Sequence, residues 1–331
     1  MNLYAERGLG VARNLFDPAK FVEAQVAEIR ARIPAPSTAI IACSGGVDST
    51  VAAVLTAQAI GDRLVSIFVD TGYMRKDEPE HVRSMLKDLQ LNLDFVDARA
   101  EFYAALKGVV EPEQKRKVIG ERFIRVFERE AKRNDATFLV QGTIAPDWIE
   151  SGGGVRDIIK SHHNVGGLPK DMGLKIVEPL YHLYKDEVRK LARHLKVPVA
   201  ERQPFPGPGL AIRVLGEATP ERTAVVRDAC AIVEEEIDRE VAAGTLEKPW
   251  QYFAALLPVR SVGVHGDVRV YGETIVVRAV ESLDAMSAQF SRIPPELLER
   301  ISIRLTNELG KSVNRVVYDI THKPPGTVEW E

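Results

Sequence analysis

The sequence predicts an α/β protein: a doubly wound parallel sheet followed by a smaller α+β domain. Three observations carry this prediction. Short apolar runs alternate with amphipathic helical patterns at least three times before residue 150. The ends of those runs are polar or glycine-rich, as a site at the carboxyl edge of a parallel sheet requires. Beyond a stretch dense in proline and glycine, "QPFPGPGL" at 203–210, the alternation stops and strand-like runs dominate.

Taken in order, residues 17–33 read as a helix, because Asp17 can cap it, Pro18 suits its first turn, and Phe21, Val22, Val26, Ile29 and Ile33 recur at helical spacing. "TAIIAC" is a buried strand, and 49–60 continues as a helix. "RLVSIFVDTG" is a second strand, ending in Asp70-Thr71-Gly72, and "EPEHVRSMLKDLQ" a helix. "LNLDFVDA" is a third strand, 115–134 a long helix, and "ATFLVQGT" a fourth strand ending in Gln141-Gly142-Thr143. Residues 150–173 have many glycines and little periodicity, which suits a mobile functional loop. "YKDEVRKLARHL" is one more helix. The expected division is 1–203 and 204–331, the second part holding a helix near 220–243, the stretches 260–272 and 274–282, a helix over 294–309 and a strand over 313–321.

Composition excludes several classes. With 45% hydrophobic and 27% charged residues, the 331-residue chain can bury a sizeable core. A net charge of −3 gives no global case for a nucleic-acid or membrane partner. The N-terminal residues have no apolar signal core, and no run reaches the ~18 apolar residues of a membrane span. Two cysteines, Cys43 and Cys230, form no CxxC pair and no disulfide framework, which fits a reducing, cytoplasmic setting; Cys43 reads as a small buried apolar residue.

The most informative stretch is "IIACSGGVDSTVAAVL" at 40–55. A strand that enters a helix through Gly45-Gly46 leaves N–H groups pointing out of the turn with no side chains to keep an anion away. Ser44, Ser49 and Thr50 add hydroxyls, and the following helix adds the positive end of its dipole. A phosphate chain is the natural guest. Asp48 would repel it directly, so a magnesium ion bridging carboxylate and phosphates is the expected intermediary. The alternative is a tight strand–helix turn with an aspartate cap. The pattern is neither G-x-x-x-x-G-K-[ST] nor G-x-G-x-x-G, which removes support for γ-phosphate transfer and dinucleotide binding.

"SGGVDST" resembles the pyrophosphate-binding loop of the ATP pyrophosphatases, whose fold is of the adenine nucleotide α-hydrolase type. Further blocks, "FVDTGYMRK", "GVVEPEQKRKVIGERFI", "QGTIAPDWIES", "IKSHHNVGGLP", "EPLYHLYKDEVR", "QPFPGPGLAIRVLGE", "SVGVHGDVRVY" and "NRVVYDITHKPPGTVEWE", resemble the GMP synthetase family over residues 20–331. The resemblance implies a ligase of purine biosynthesis that aminates XMP to GMP through an adenylyl-XMP intermediate, releasing AMP and pyrophosphate. Only 43 residues precede Ser44, and no cysteine stands in a nucleophile motif. The resemblance is therefore to a synthetase subunit supplied with ammonia by a separate glutamine amidotransferase subunit.

The same resemblance implies roles. Ser44, Gly45, Gly46, Val47, Asp48, Ser49 and Thr50 would hold the pyrophosphate of ATP, with Asp48 as the Mg2+ ligand and Gly142 and Val69 beside the nucleotide. Lys160, His162 and His163 would close over ATP as a lid, or else lie solvated in their glycine-rich loop. Arg75, Asp147, Glu150, Arg315, Lys323 and Glu329 would contact XMP, and the second domain would form a homodimer. Two rival readings lose support. A tRNA thiolase would need paired catalytic cysteines and a basic surface. A nucleotide sensor without turnover would be expected to lack Asp48 or Lys160, and both are present.

Overall fold

The computed structural model describes residues 16–145, 173–198, 203–282 and 286–331. Helix α1 (Pro18–Arg32) starts where Asp17 accepts from the N–H groups of Ala19 and Lys20 at 3.0 and 3.3 Å. Strand β1 (Thr38–Ala42) leads into α2 (Val47–Ile60), then come β2 (Leu64–Asp70), α3 (Glu78–Asp88) and β3 (Leu93–Asp97). Helices α4 (Arg99–Ala105) and α5 (Pro112–Arg133) precede β4 (Ala136–Val140). Strand β5 (Lys175–Val177) and α6 (Lys185–His194) follow. Neither α4 nor β5 is expected from sequence, since each is too short to show a period.

Four parallel pairings build one sheet in the order β3-β2-β1-β4-β5. The chain winds outward from β1 in both directions, so the strand order reverses beside β1, and a crevice opens beyond the carboxyl ends of β1 and β4. Both faces are buried, with side chains alternating between them. Ala39, Ile41, Leu64 and Phe68 meet α1, α2, α3 and α6 on one face. Ile40, Val65, Ile67 and Val69 meet α4 and α5 on the other.

A 3-10 turn over Gly209–Arg213 connects to the second region, α7 (Pro220–Ala242), β6 (Gln251–His265), β7 (Val268–Glu281), β8 (Gln289–Phe290), α8 (Pro295–Glu308) and β9 (Val313–Tyr318). Here β6 and β7 form a long antiparallel hairpin, β8 extends the far edge of β7, and β9 lies parallel to β7. Two expectations are corrected. The stretch 260–272 contains the hairpin turn between His265 and Val268, hidden because valines alternate on both sides of it. The strand before it begins at Gln251, nine residues upstream of Arg260. The apolar face of the parallel sheet that carries α4 and α5 is continuous with the core of this region through Leu210, Ala211 and Val214. The connection is thus part of one core, with all five residues of its 3-10 turn buried.

Candidate active site

The β1–α2 turn is shaped by backbone. Gly45 has φ +78°, and a Cβ there would stand 2.6 Å from Val82 Cγ2 on α3, so only glycine fits. Gly46 is the N-cap of α2 and no side chain caps that helix. The helix therefore starts two residues earlier than the sequence suggests, and Asp48 lies in its first turn. Its leading N–H groups face out of the turn with the dipole behind them. The hydroxyls divide. Thr50 is buried and donates to the Gly46 carbonyl at 2.8 Å, so it braces the turn. Ser49, less buried, reaches the same carbonyl at 3.2 Å, and its oxygen lies 3.4 Å from that of exposed Ser44. Just beyond the end of β4, Gly142 lies against this loop: a Cβ on it would be 3.0 Å from the Asp48 carbonyl carbon and the Ser49 nitrogen.

Across the turn, the first residue of α6 completes the arrangement. Lys185 Nζ donates to Asp48 Oδ2 at 2.5 Å. The other carboxylate oxygen, Oδ1, is buried with no hydrogen-bond partner among the described residues. A buried unpartnered carboxylate oxygen beside a phosphate-sized cradle fits a hard divalent cation. No group of three or more His, Cys, Asp or Glu side chains among the described residues is placed to hold a metal ion. Such a cation would therefore take Asp48 and complete its shell with substrate oxygens and water, which is how Mg2+ is commonly held. Sequence reasoning passes over Lys185. Its signal is a lysine in the first helical turn, where the dipole disfavours a cation unless an anion is near.

At the end of β2, Asp70 accepts from the Gly72 N–H at 2.8 Å, and burial pushes its carboxyl above the usual range. The loop that follows is fixed to the second region. Tyr73 donates to the Ala218 carbonyl at 3.0 Å, Arg227 donates to the carbonyls of Gly72 and Met74, and the Leu210 N–H donates to the Tyr73 carbonyl at 2.7 Å. Val69 lies in the core on the α4–α5 face.

Arg75 and Glu329 join one cluster around 203–205. The Arg75 guanidinium donates to the carbonyls of Gln203 and Pro204, at 3.0 and 3.2 Å, and lies 4.3 Å over the Phe205 ring. It also approaches Glu78 and Glu234 within 3.9 Å. Glu329 takes two bonds from Arg213, at 2.8 and 3.0 Å, and a third from Gln251 at 2.8 Å. Arg213 is itself fully buried between the Phe205 and Phe253 rings. Arg315 stands apart, exposed on β9 with its Nε donating to Ser261 at 3.2 Å. Lys323 exchanges backbone hydrogen bonds with Ala288. Asp147, Glu150, Lys160, His162 and His163 lie outside the described residues.

Two family models match separate parts of the chain. Residues 18–134 match the NAD synthase family, and residues 238–330 match the GMP synthase C terminal domain family. Two similar proteins are each named as one subunit of a glutamine-hydrolyzing GMP synthase. That of Methanopyrus kandleri is 58% identical over 96% of this chain and 100% of its own. That of Thermococcus kodakarensis is 59% identical over 94% and 99%. A glutamine-hydrolyzing GMP synthase of Clostridium botulinum, whose name specifies no subunit, is 55% identical over 95% of this chain but only 61% of its own. Among solved structures, an NH3-dependent NAD synthetase from Campylobacter jejuni covers 55% of this chain and is itself covered over 74%, at 18% identity and a TM-score of 0.43.

Proposed function

Since this chain belongs to the family of glutamine-hydrolyzing GMP synthase subunits, we propose how its site serves the family's reaction. The chain is the synthetase subunit of a two-subunit enzyme and converts XMP to GMP with ATP, while a separate subunit provides the nitrogen from glutamine. The C2 oxygen of XMP attacks the α-phosphorus of ATP, pyrophosphate leaves, and ammonia displaces AMP from the adenylated carbon. The chemistry lies in the substrates. The protein positions them and compensates charge.

The observation that carries this reading is the Asp48 carboxylate, set in a glycine cradle with one oxygen on Lys185 and the other unpartnered. The N–H groups of Gly45 to Ser49 and the Ser44 and Ser49 hydroxyls hold the pyrophosphate. Asp48 would hold Mg2+, which when bound supplies the charge that offsets the phosphates. Lys185 adds a second positive charge beside the leaving group. Lys160, His162 and His163 close over ATP, and Asp147 and Glu150 orient the purine. Arg75 and Glu329, which flank the same 203–205 segment, serve XMP with Arg315 and Lys323. On the outer half of the β6–β7 hairpin, Val262, Val264 and Tyr271 are exposed on one face, an apolar surface that supports self-association as a homodimer. No described helix is long and apolar enough to cross a membrane. The reaction itself, on free nucleotides, is the ground for placing the enzyme in the cytoplasm.

The test is turnover by the isolated chain with Mg2+, ATP, XMP and an ammonium salt. AMP, pyrophosphate and GMP should appear together and only with XMP present, faster as pH rises and NH4+ gives way to NH3. Glutamine should be inert until the glutaminase subunit is added. Pyrophosphate release that ignores XMP would overturn the reading.

A further inference from the structure

Lys115, in the first turn of α5, is fully buried. Lysine is almost never buried without a partner, and here the partners come from separate parts of the molecule. Its ammonium donates to the carbonyls of Ala211, at 3.2 Å, and Val214, at 2.7 Å, both in the connection between the two sheets. The third bond goes to the Glu331 carboxylate. Three N–H donors thus meet three acceptors and the group is satisfied. The other oxygen of Glu331 accepts from the Gly216 N–H at 3.3 Å, and Arg116 donates to the Glu331 backbone carbonyl. Two residues earlier, Glu329 rests on buried Arg213. Between these points Arg278, also buried, donates to the carbonyls of Thr321, Thr327 and Val328.

The segment 321–331 therefore lies on a row of buried cations, and Lys115 is the one that stands on the parallel-sheet half. A buried ion pair is a poor stabiliser compared with apolar side chains of equal volume. What an apolar residue cannot do is hold three polar acceptors at fixed positions. We propose that Lys115 is a positioning residue for XMP: it fixes segment 321–331 against α5 and the connection, so that Lys323 and Glu329 are presented in one arrangement. This rests on the assignment of XMP to that segment under the proposed function. Lys115 need not touch the substrate.

The test is steady-state kinetics of the full chain with ammonium as nitrogen source, varying XMP and ATP in turn. Lys115→Met and Glu331→Gln should each raise KM for XMP about tenfold or more while KM for ATP stays within about twofold. Because both act through one contact, the double variant should be no worse than the poorer single one. Equal shifts in both KM values, or effects that multiply, would mean that the pair only stabilises the fold and would overturn the proposal. If Lys115→Met does not fold, Glu331→Gln, which keeps the side-chain shape, carries the same readout. Lys323→Met separates the two layers. If it leaves KM for XMP unchanged, the XMP assignment fails. If it raises that KM while Lys115→Met and Glu331→Gln do not, the positioning role fails.

Discussion

The β1–α2 turn and the C-terminal segment both manage charge, by opposite means. The turn is made of backbone. Gly45, Gly46 and the first N–H groups of α2 form a concave positive surface with no buried cation, so no positive charge has to be stripped of water to build it. The segment is made of side chains. Lys115, Arg213 and Arg278 are each buried and each faces a carboxylate. The turn is ready for a charged guest that comes and goes. The segment is a permanent fit, and removing either half of a pair leaves an uncompensated charge inside.

The comparison predicts that single changes in the turn stop chemistry without harming the fold. Asp48→Ala should give the largest effect, a loss of roughly a hundredfold or more in AMP and pyrophosphate formation. The melting temperature should hold or rise slightly, because an unpartnered buried oxygen is removed. Near-normal turnover would show that Asp48 holds no cation that matters. A collapse of stability would show that the Asp48–Lys185 pair is structural, as the pairs of the C-terminal segment are.

This difference also explains what the sequence could and could not reveal. The turn is legible because the residues that form it, from Ser44 to Thr50, are contiguous and each type has a physical use there. The parallel sheet is legible for a related reason, since alternating strand and helix leave local periods. The hairpin turn between His265 and Val268 is not, because valines alternate straight through it. Buried cations leave no local mark at all. Arg213 meets Glu329 across 116 residues and Lys115 meets Glu331 across 216. In sequence each reads as an ordinary surface charge, Lys115 most of all, inside "EQKRK". Lys185 falls between these cases. Its position at a helix start is visible, but its partner Asp48 is 137 residues away.

A smaller effect sharpens the claim that backbone geometry builds the turn. Gly142 follows the end of β4, and a Cβ on it would press at 3.0 Å on the backbone of Asp48 and Ser49. Neither atom can swing aside as a side chain would. Gly142→Ala should therefore push the turn out of shape, raising KM for ATP about tenfold, with KM for XMP little changed and stability down by about 1–2 kcal/mol. If both KM values are unaffected, the turn tolerates the displacement, and its backbone positions matter less than the comparison holds.

The smallest effect uses one thiol in each region. Cys43 follows β1 immediately before the turn, and Cys230 sits on α7 with its Sγ 3.8 Å from Arg213 Nη1. Both are buried, and burial pushes both thiols up, Cys43 to about 12, so neither reacts as a thiolate near neutral pH while its surroundings stay closed. In the native protein both should label with a thiol reagent only through opening of the structure. Arg213→Met removes the cation beside Cys230 and leaves Glu329 with Gln251 alone of its side-chain donors. Cys230 labelling should then accelerate by about tenfold or more while Cys43 keeps its native rate, because the parallel sheet retains its own core on the α2 face. Labelling of the intact and the variant protein, read residue by residue by mass spectrometry, gives both rates at once. If the two cysteines accelerate together, the continuous core that runs through Leu210 and Val214 makes the two regions open as one unit, and the contrast between a free-standing turn and a clamped segment holds for chemistry alone, not for stability.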